Sequence, residues 1–309
     1  MEHSVAIVAP GNMGAAVAKR LGEHRVSVVT VLEGRGAASA SRAHDAGMRA
    51  ASRDKLCEAQ FILSILPPGA ALSFAQLMAP TLAAAARKPV FVDCNAVSPD
   101  TVREIGAVIA AAGTPFIDAA IIGLPPQPGG PSPHFYASGP DAARLQTLGS
   151  FGLDIRVLDG PVGAASALKM CYAGINKGVA AIAAAMILAA ARSGASAALH
   201  QELSESLPGL LNSLRRQIPD MLPKAYRWVA EMREIAAFGG DDATTTTRDD
   251  SANGAARDDR STAAQIPRSA NEATREIFDG FARLYDFISQ DVAGDQRASS
   301  VLTRFFNEH

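Results

Sequence analysis

Aromatic side chains are scarce in this sequence, at 6% of residues with a single tryptophan, and cysteine is scarcer still, at three. Cys57, Cys94 and Cys171 cannot all pair, and none lies in a C-x-x-C, which argues against a disulfide framework and a cysteine-based zinc site. His3, His24, His44, His134, His200 and His309 are scattered without metal-ligand spacing, so no metal centre is expected. An excess of either charge is missing as well. A net charge of -2 points to neither nucleic acid nor an anionic membrane as partner. The longest uncharged helical run, Gly178 to Ala191 between Lys177 and Arg192, falls short of the roughly 18 residues a membrane span needs. No G-x-S-x-G is present for a nucleophile elbow. Glu2 and His3 lead straight into a strand pattern without the marks of a signal peptide, and the expected location is a reducing cytoplasm.

What is present begins as alternating short apolar strands and helices. The pattern predicts strands at Ser4–Ala9, Val26–Leu32, Phe61–Leu66, Val90–Cys94 and Phe116–Ile121. Between them lie helical patterns such as Ser98–Ala112, with Ser98 as N-cap, Pro99 at the first helical position and Gly113 past the end. Near-continuous apolar strands separated by helices predict a parallel sheet covered on both faces. After Gly160 the character changes. Ala164 to Ala191 is one long apolar helical run, followed by helical patterns at His200–Leu207, Leu210–Gln217, Lys224–Phe238, Glu272–Ser289 and Ser299–Phe306. The expected architecture is an α/β Rossmann domain (1–162) followed by an all-α helical domain (163–309), joined by a long interdomain helix. Residues 239–265 contain no large apolar side chain and are expected to be a disordered insertion.

The stretch "SVAIVAPGNMGAAVAKRL" reads as strand, turn and helix, but Ala9 stands where G-x-G-x-x-G has its first glycine. Gly11 and Gly14 remain. The first lets the backbone approach a pyrophosphate, and the second lets helix and strand pack closely. The helix starting near Asn12 offers free N–H groups and a positive dipole end. Pro10, Gly11, Asn12, Met13 and Gly14 are therefore candidate cofactor contacts. About twenty residues on, Glu33 suits the ribose hydroxyls of NAD, whereas Arg35, with Ser39 and Arg42 behind it, suits the 2′-phosphate of NADP. Three donors against one acid favour NADP over NAD.

In order and spacing, four stretches together resemble the β-hydroxyacid dehydrogenase superfamily, which includes 6-phosphogluconate dehydrogenase: "GNMGAAVAKRL", "SILPPGAA", "VDCNAVSPDT" and "GPVGAASALKMCYAGINKG". The helical half, with "KAYRWVAEMREIA", resembles a poorly characterised branch with phosphogluconate-dehydrogenase-like C-terminal domains. The resemblance implies that the loop Leu66, Pro67, Pro68 lies along the cofactor and that Lys169 is catalytic. Asn95 takes the place of a usual serine and is a candidate contact to cofactor or substrate. The family's Ser-Gly-Gly carboxylate grip falls on Ile122, Gly123 and Leu124, so only Gly123 keeps the pattern, and the family's usual asparagine four residues after the lysine is Ala173. Tyr172 and Asn176 share the helical face of Lys169 and are candidate substrate contacts, with Lys177 a possible second charge. Arg227 and Glu231 are spaced as an i,i+4 pair.

A lysine desolvated beside a cationic nicotinamide loses pKa and can trade a proton near neutral pH. The first functional reading is therefore an NAD(P)-dependent oxidoreductase acting on a small hydroxy acid or its keto form. An imine reductase of the same architecture, a phosphogluconate-like decarboxylating dehydrogenase and a non-catalytic NADP-binding regulatory module are the alternatives. The abundance of apolar helix surface in the second half, and the resemblance, both predict a homodimer.

Overall fold

The computed structural model describes residues 3–240 and 268–308. The expected insertion therefore lies, from residue 241 onward, outside the described residues. By compactness the chain forms two units, Met1–Met170 and Cys171–His309.

The first unit is built on one eight-stranded sheet. Its strands are β1 (Ser4–Ile7), β2 (Ser27–Thr30), β3 (Arg49–Ala50), β4 (Phe61–Ser64), β5 (Val90–Asp93), β6 (Phe116–Ile122), β7 (His134–Ser138) and β8 (Asp154–Val157), in the order β3-β2-β1-β4-β5-β6-β7-β8. All neighbours are parallel except β6 and β7. The helices α1 (Asn12–Glu23), α2 (Ala37–Asp45), α3 (Arg53–Leu56), α4 (Ala71–Ala84) and α5 (Pro99–Ala111) connect the strands. Two apolar layers result, one on each face of the sheet. Val5, Ile7, Val17, Leu21 and Phe135 belong to one, and Ala6, Ile62, Met78, Phe91 and Ile105 to the other. The five expected strands and the doubly covered sheet are present, and β3, β7 and β8 are additions. The order reverses at β1 and β4, and their carboxyl ends form the crevice where open α/β sheets bind ligands.

Local signals account for α5. Ser98 accepts from Thr101 N at 3.2 Å, Pro99 occupies the first turn, and Gly113 takes φ +68 just beyond.

The helix α6 (Ala164–Arg192) runs through the division at Met170. It has 29 residues and an 18-residue window of mean hydropathy 1.6, so by length and composition alone it would cross a membrane, a property shared with core helices of soluble proteins. The uncharged stretch alone is too short for a span, and this length is reached only by counting the flanking charges.

The second unit is helical: α7 (Ser196–Ser206), α8 (Pro208–Met221), α9 (Ala225–Gly240), α10 (Arg268–Ala293) and α11 (Arg297–Asn307), together with the later part of α6. Tyr285, Ile288, Ile218, Met232 and Leu302 form its buried centre. Gly174 and Gly178, one turn apart on α6, let the rings of Phe278 and Phe281 approach, since a Cβ at either would lie 3.0–3.1 Å from ring carbon.

Candidate active site

The turn after β1 explains why the missing first glycine is tolerated. Neither Ala9 nor Pro10 has a positive φ, so nothing in the backbone there demands glycine. Gly14 is different: a Cβ on it would lie 2.2 Å from the carbonyl oxygen of Ala9. Around Gly11 a Cβ meets nothing within 4 Å, so this glycine leaves open space rather than relieving a contact. Gly11 is also the N-cap of α1 and makes no side-chain cap hydrogen bond, which leaves the first-turn N–H groups of Asn12 and Met13 without that partner. An uncapped helix start beside open space fits a dinucleotide pyrophosphate.

The groups expected to read the adenosine ribose are arranged unequally. Glu33 pairs with Arg53 at 3.2 Å, and both are partly or largely exposed. Arg35 is exposed. Arg42 is turned inward: its Nε donates to the Pro10 carbonyl at 2.8 Å and its Nη2 to Ser39 Oγ at 3.1 Å. It braces the glycine turn through the Pro10 carbonyl. Arg20, on α1, donates to the carbonyls of Gln127 (2.9 Å) and Gly130 (2.8 Å) and so ties the proline-rich loop after β6 to the first helix.

At the carboxyl edge of the sheet lies a buried polar row that sequence reasoning missed. Ser64, Asp93, Asp118 and Ser138 are register partners on the successive strands β4 to β7, and all are buried. Asn95, two residues past β5 strand partner Asp93, joins them. Its Oδ1 accepts from Leu66 N at 2.6 Å, while Nδ2 donates to Ser64 Oγ (2.9 Å) and Asp93 Oδ2 (2.7 Å). Both amide protons are thus engaged, and Asn95 holds the Leu66 loop from beneath. Pro67 and Pro68 are exposed beyond it. Burial and the neighbouring Asp118 push the Asp93 carboxyl up to about 6, against the opposing hydrogen bonds from Asn95 and the charge of Lys169.

Asp118 accepts five hydrogen bonds. Its Oδ2 takes N–H groups of Gly163 (2.9 Å), Ala165 (3.1 Å) and Ser166 (3.2 Å) and the Ser138 hydroxyl (3.0 Å), and Oδ1 takes the Ser166 hydroxyl at 2.8 Å. These N–H groups open α6, so a buried carboxylate caps the helix that carries Lys169. Lys169 itself is half-buried. Desolvation pulls its pKa below the usual lysine value, while the carboxylates of Asp93 and Asp118 hold it up. The signal for the row was legible in principle, because an aspartate inside a strand such as "FIDAAII" rarely stays buried without partners.

The remaining candidates are spread out. Gly123 takes φ +130, with Pro133 packed against it, and Leu124 beside it is 85% exposed. Beyond the division on α6, Tyr172 is exposed, and Asn176 accepts from Gln217 Nε2 at 2.6 Å. Lys177 forms an ion pair with Glu231 and lies over the Trp228 ring at 5.1 Å, so its charge serves the second unit's own packing. Glu231 is thus the partner of Lys177, and the Nε of Arg227 meets the Tyr226 hydroxyl instead, which corrects the expected Arg227–Glu231 pair.

A glycine turn at the switch point of a doubly wound sheet, followed by a helical unit, defines a dinucleotide-binding protein. Residues 4–127 match the NAD binding domain of 6-phosphogluconate dehydrogenase, and residues 190–288 match a domain of unknown function. The first part of the chain is thus similar to the NAD-binding domain of 6-phosphogluconate dehydrogenase, and the later part to a domain of uncharacterised type. A 3-hydroxyisobutyrate dehydrogenase from Pseudomonas aeruginosa is 31% identical over 123 residues, a match that spans 38% of this chain and 40% of that protein. A conserved protein of unknown function, described as structurally similar to 3-hydroxyacid dehydrogenases, superposes with a TM-score of 0.68 at 27% identity, over 91% of this chain and 98% of its own. An imine reductase from Streptomyces aurantiacus shares the fold at a TM-score of 0.53 and 18% identity, covering 96% and 100% of the two chains.

Proposed function

We propose that this protein is an NAD(P)-dependent oxidoreductase that interconverts a small hydroxy acid and its keto form, with Lys169 as general acid and base. The observation that carries the reading is the setting of Lys169. Its amine is desolvated in the unit that bears the glycine turn, with carboxylates of β5 and β6 acting on it. A lysine so placed holds its proton less tightly than an ordinary lysine, which suits proton exchange with a substrate. Gly11, Asn12, Met13 and Gly14 would hold the pyrophosphate, and Leu66, Pro67 and Pro68, supported by Asn95, would border the cofactor. When bound, the nicotinamide supplies the hydride exchange. Lys169 takes the hydroxyl proton of the substrate during oxidation and returns it to the carbonyl oxygen during reduction. Gly123 is proposed as a substrate contact.

NADP is the proposed preferred cofactor. Arg53 offsets the charge of Glu33, and Arg42 and Ser39 stand beside the turn. An imine reductase is the second reading, favoured by one feature: the exposed Leu124 and the half-buried Ile122 supply alkyl surface where a carboxylate grip is expected.

The protein is proposed to work as a cytoplasmic homodimer. Ile175, Val179, Ile182 and Met186 are exposed on α6 at a 4-3-4 spacing, the stripe by which helices pair. The stripe runs into a groove of about 320 Å³ lined also by Leu199, Leu203 and Leu210. The function is tested by screening hydroxy acids, keto acids and imines with NADPH and NADH at the nicotinamide absorbance. Turnover of imines but no oxygen substrate would select the second reading, and no turnover of any would leave a cofactor-binding module.

A further inference from the structure

We propose that Asp118 is the positioning residue of Lys169: its buried carboxylate holds the first turn of α6 against β6 and so sets where the lysine amine lies. This rests on the reading of Lys169 as the proton donor. Three backbone N–H groups and two hydroxyls converge on this one side chain, and four of these five donors belong to Gly163, Ala165 and Ser166, the fifth being the Ser138 hydroxyl. Ser138 Oγ also accepts from Ala165 N at 3.0 Å. Ser166 and Ala165 lie three and four residues before Lys169, so they share its helical face. A shift of the first turn is therefore a shift of Lys169. Asp118 is immobile in its turn, being in mid-strand and fully buried with Asp93 and Ser138 as register partners. The aspartate thus joins the sheet that bears the cofactor turn to the residue that moves the proton, without itself touching substrate.

The charged and titratable groups acting on Lys169 are Asp93 on β5, Cys94 just after it, and Asp118 on β6. Asp118→Asn keeps the shape of the side chain. Its carbonyl can still accept the three N–H groups, and Ser166 Oγ can turn to accept from the new amide. Only the charge and one acceptor are lost. The readout is the ε-carbon signal of Lys169 in protein labelled with [ε-13C]lysine, assigned by its absence in Lys169→Arg and followed against pH. The expected result is a titration midpoint lower by about one pH unit, as befits the loss of a nearby opposite charge, with faster hydrogen exchange at the amides of Ala165 and Ser166. An unchanged midpoint and unchanged exchange in the folded variant would overturn the proposal. If Asp118→Asn does not fold, Ser166→Ala serves, since it removes one hydrogen bond and leaves the charge. A moved Lys169 signal with faster exchange of the first turn then supports the positioning role, and an unmoved signal overturns it. These measurements need neither cofactor nor substrate. They stand apart from the turnover of Lys169→Met, which tests the catalytic reading itself.

Discussion

Replacing each surviving glycine of the cofactor turn by alanine separates packing from binding. At Gly14 the new Cβ would lie 2.2 Å from the Ala9 carbonyl oxygen and 3.3 Å from an Ile7 methyl. Unstrained contacts lie near 3.5 Å or more, so a gap of about 1 Å has to open between α1 and β1. The obstacle is backbone, which cannot rotate aside. Overpacking costs about 1–3 kcal/mol and sometimes more, and alanine returns about 1 kcal/mol of helix propensity. With a rigid obstacle the upper end of the range applies, and the net loss is about 2 kcal/mol. For a domain of this size that is a fall in Tm of about 4–8 °C. At Gly11 the Cβ meets nothing, and φ is -71, so alanine fits the backbone. The weaker N-cap and the stiffer unfolded chain nearly cancel, and stability should change by less than about 0.5 kcal/mol. NADPH affinity should nevertheless fall by about tenfold or more, because the methyl occupies the space left for the pyrophosphate. Thermal melts with and without NADPH measure both effects. Equal melting of Gly14→Ala and the parent would refute the packing argument, and parent-like NADPH binding by Gly11→Ala would refute the assignment of the turn.

Lys169→Met should keep cofactor binding and lose about 10² to 10⁴ in turnover, and Lys169→Arg should not restore it; parent-like rates in the Met variant would remove Lys169 from the mechanism. Arg35→Ala should lower the NADPH/NADH affinity ratio alone, whereas Arg42→Ala should weaken both cofactors because Pro10 loses its brace, as fluorescence titration would read. Asp93 binds its proton more tightly folded, at about 6, than unfolded, at 3.8. Its contribution is complete below pH 3.8 and lost as pH rises toward 6, roughly 3 kcal/mol over the window. Asp93→Asn should flatten that slope in urea melts taken between pH 4 and 6.5, and an unchanged slope would assign it to other groups. Ile182→Glu with Met186→Glu should give monomers by light scattering, and a parent protein already of monomer mass would exclude the dimer.

The parts of the fold that could be read beforehand are those whose signals are local. α5 announces itself by Ser98, Pro99 and Gly113, and α6 by its uninterrupted alanine-rich run. β3 has only two residues, both exposed, and β8 is a mixed "DIRV", so neither carries an apolar pattern to find. β7 follows the proline and glycine of the loop after β6 and pairs antiparallel to it, against the alternation of the rest. In the site, Gly14 was legible because its close approach to Ala9 depends on near neighbours along the chain, whereas Lys169 was named from the resemblance. Asp93 was present only as a letter within a motif, and Asp118 only inside an expected strand. What they hold lies on other elements, up to 48 residues away, and spacing along one strand does not report it. The contacts of Arg20, and that of Arg42 to Pro10, were obscure for the same reason, since their acceptors are carbonyls, which no residue type reveals.

The row Ser64, Asp93, Asp118 and Ser138 has a bearing on descent. Each member satisfies a neighbour, so losing one alone strands buried polar atoms at about 1–3 kcal/mol apiece. Exchanging all four for well-packed apolar residues would be far less damaging to the sheet, but it would also free the start of α6 and the Leu66 loop. Drift one residue at a time is therefore blocked from both directions. In an alignment of relatives these four columns, with Asn95 and Ser166, should change together or stay fixed together, and lineages in which the whole set has turned apolar should be those in which Lys169 has been given up as well.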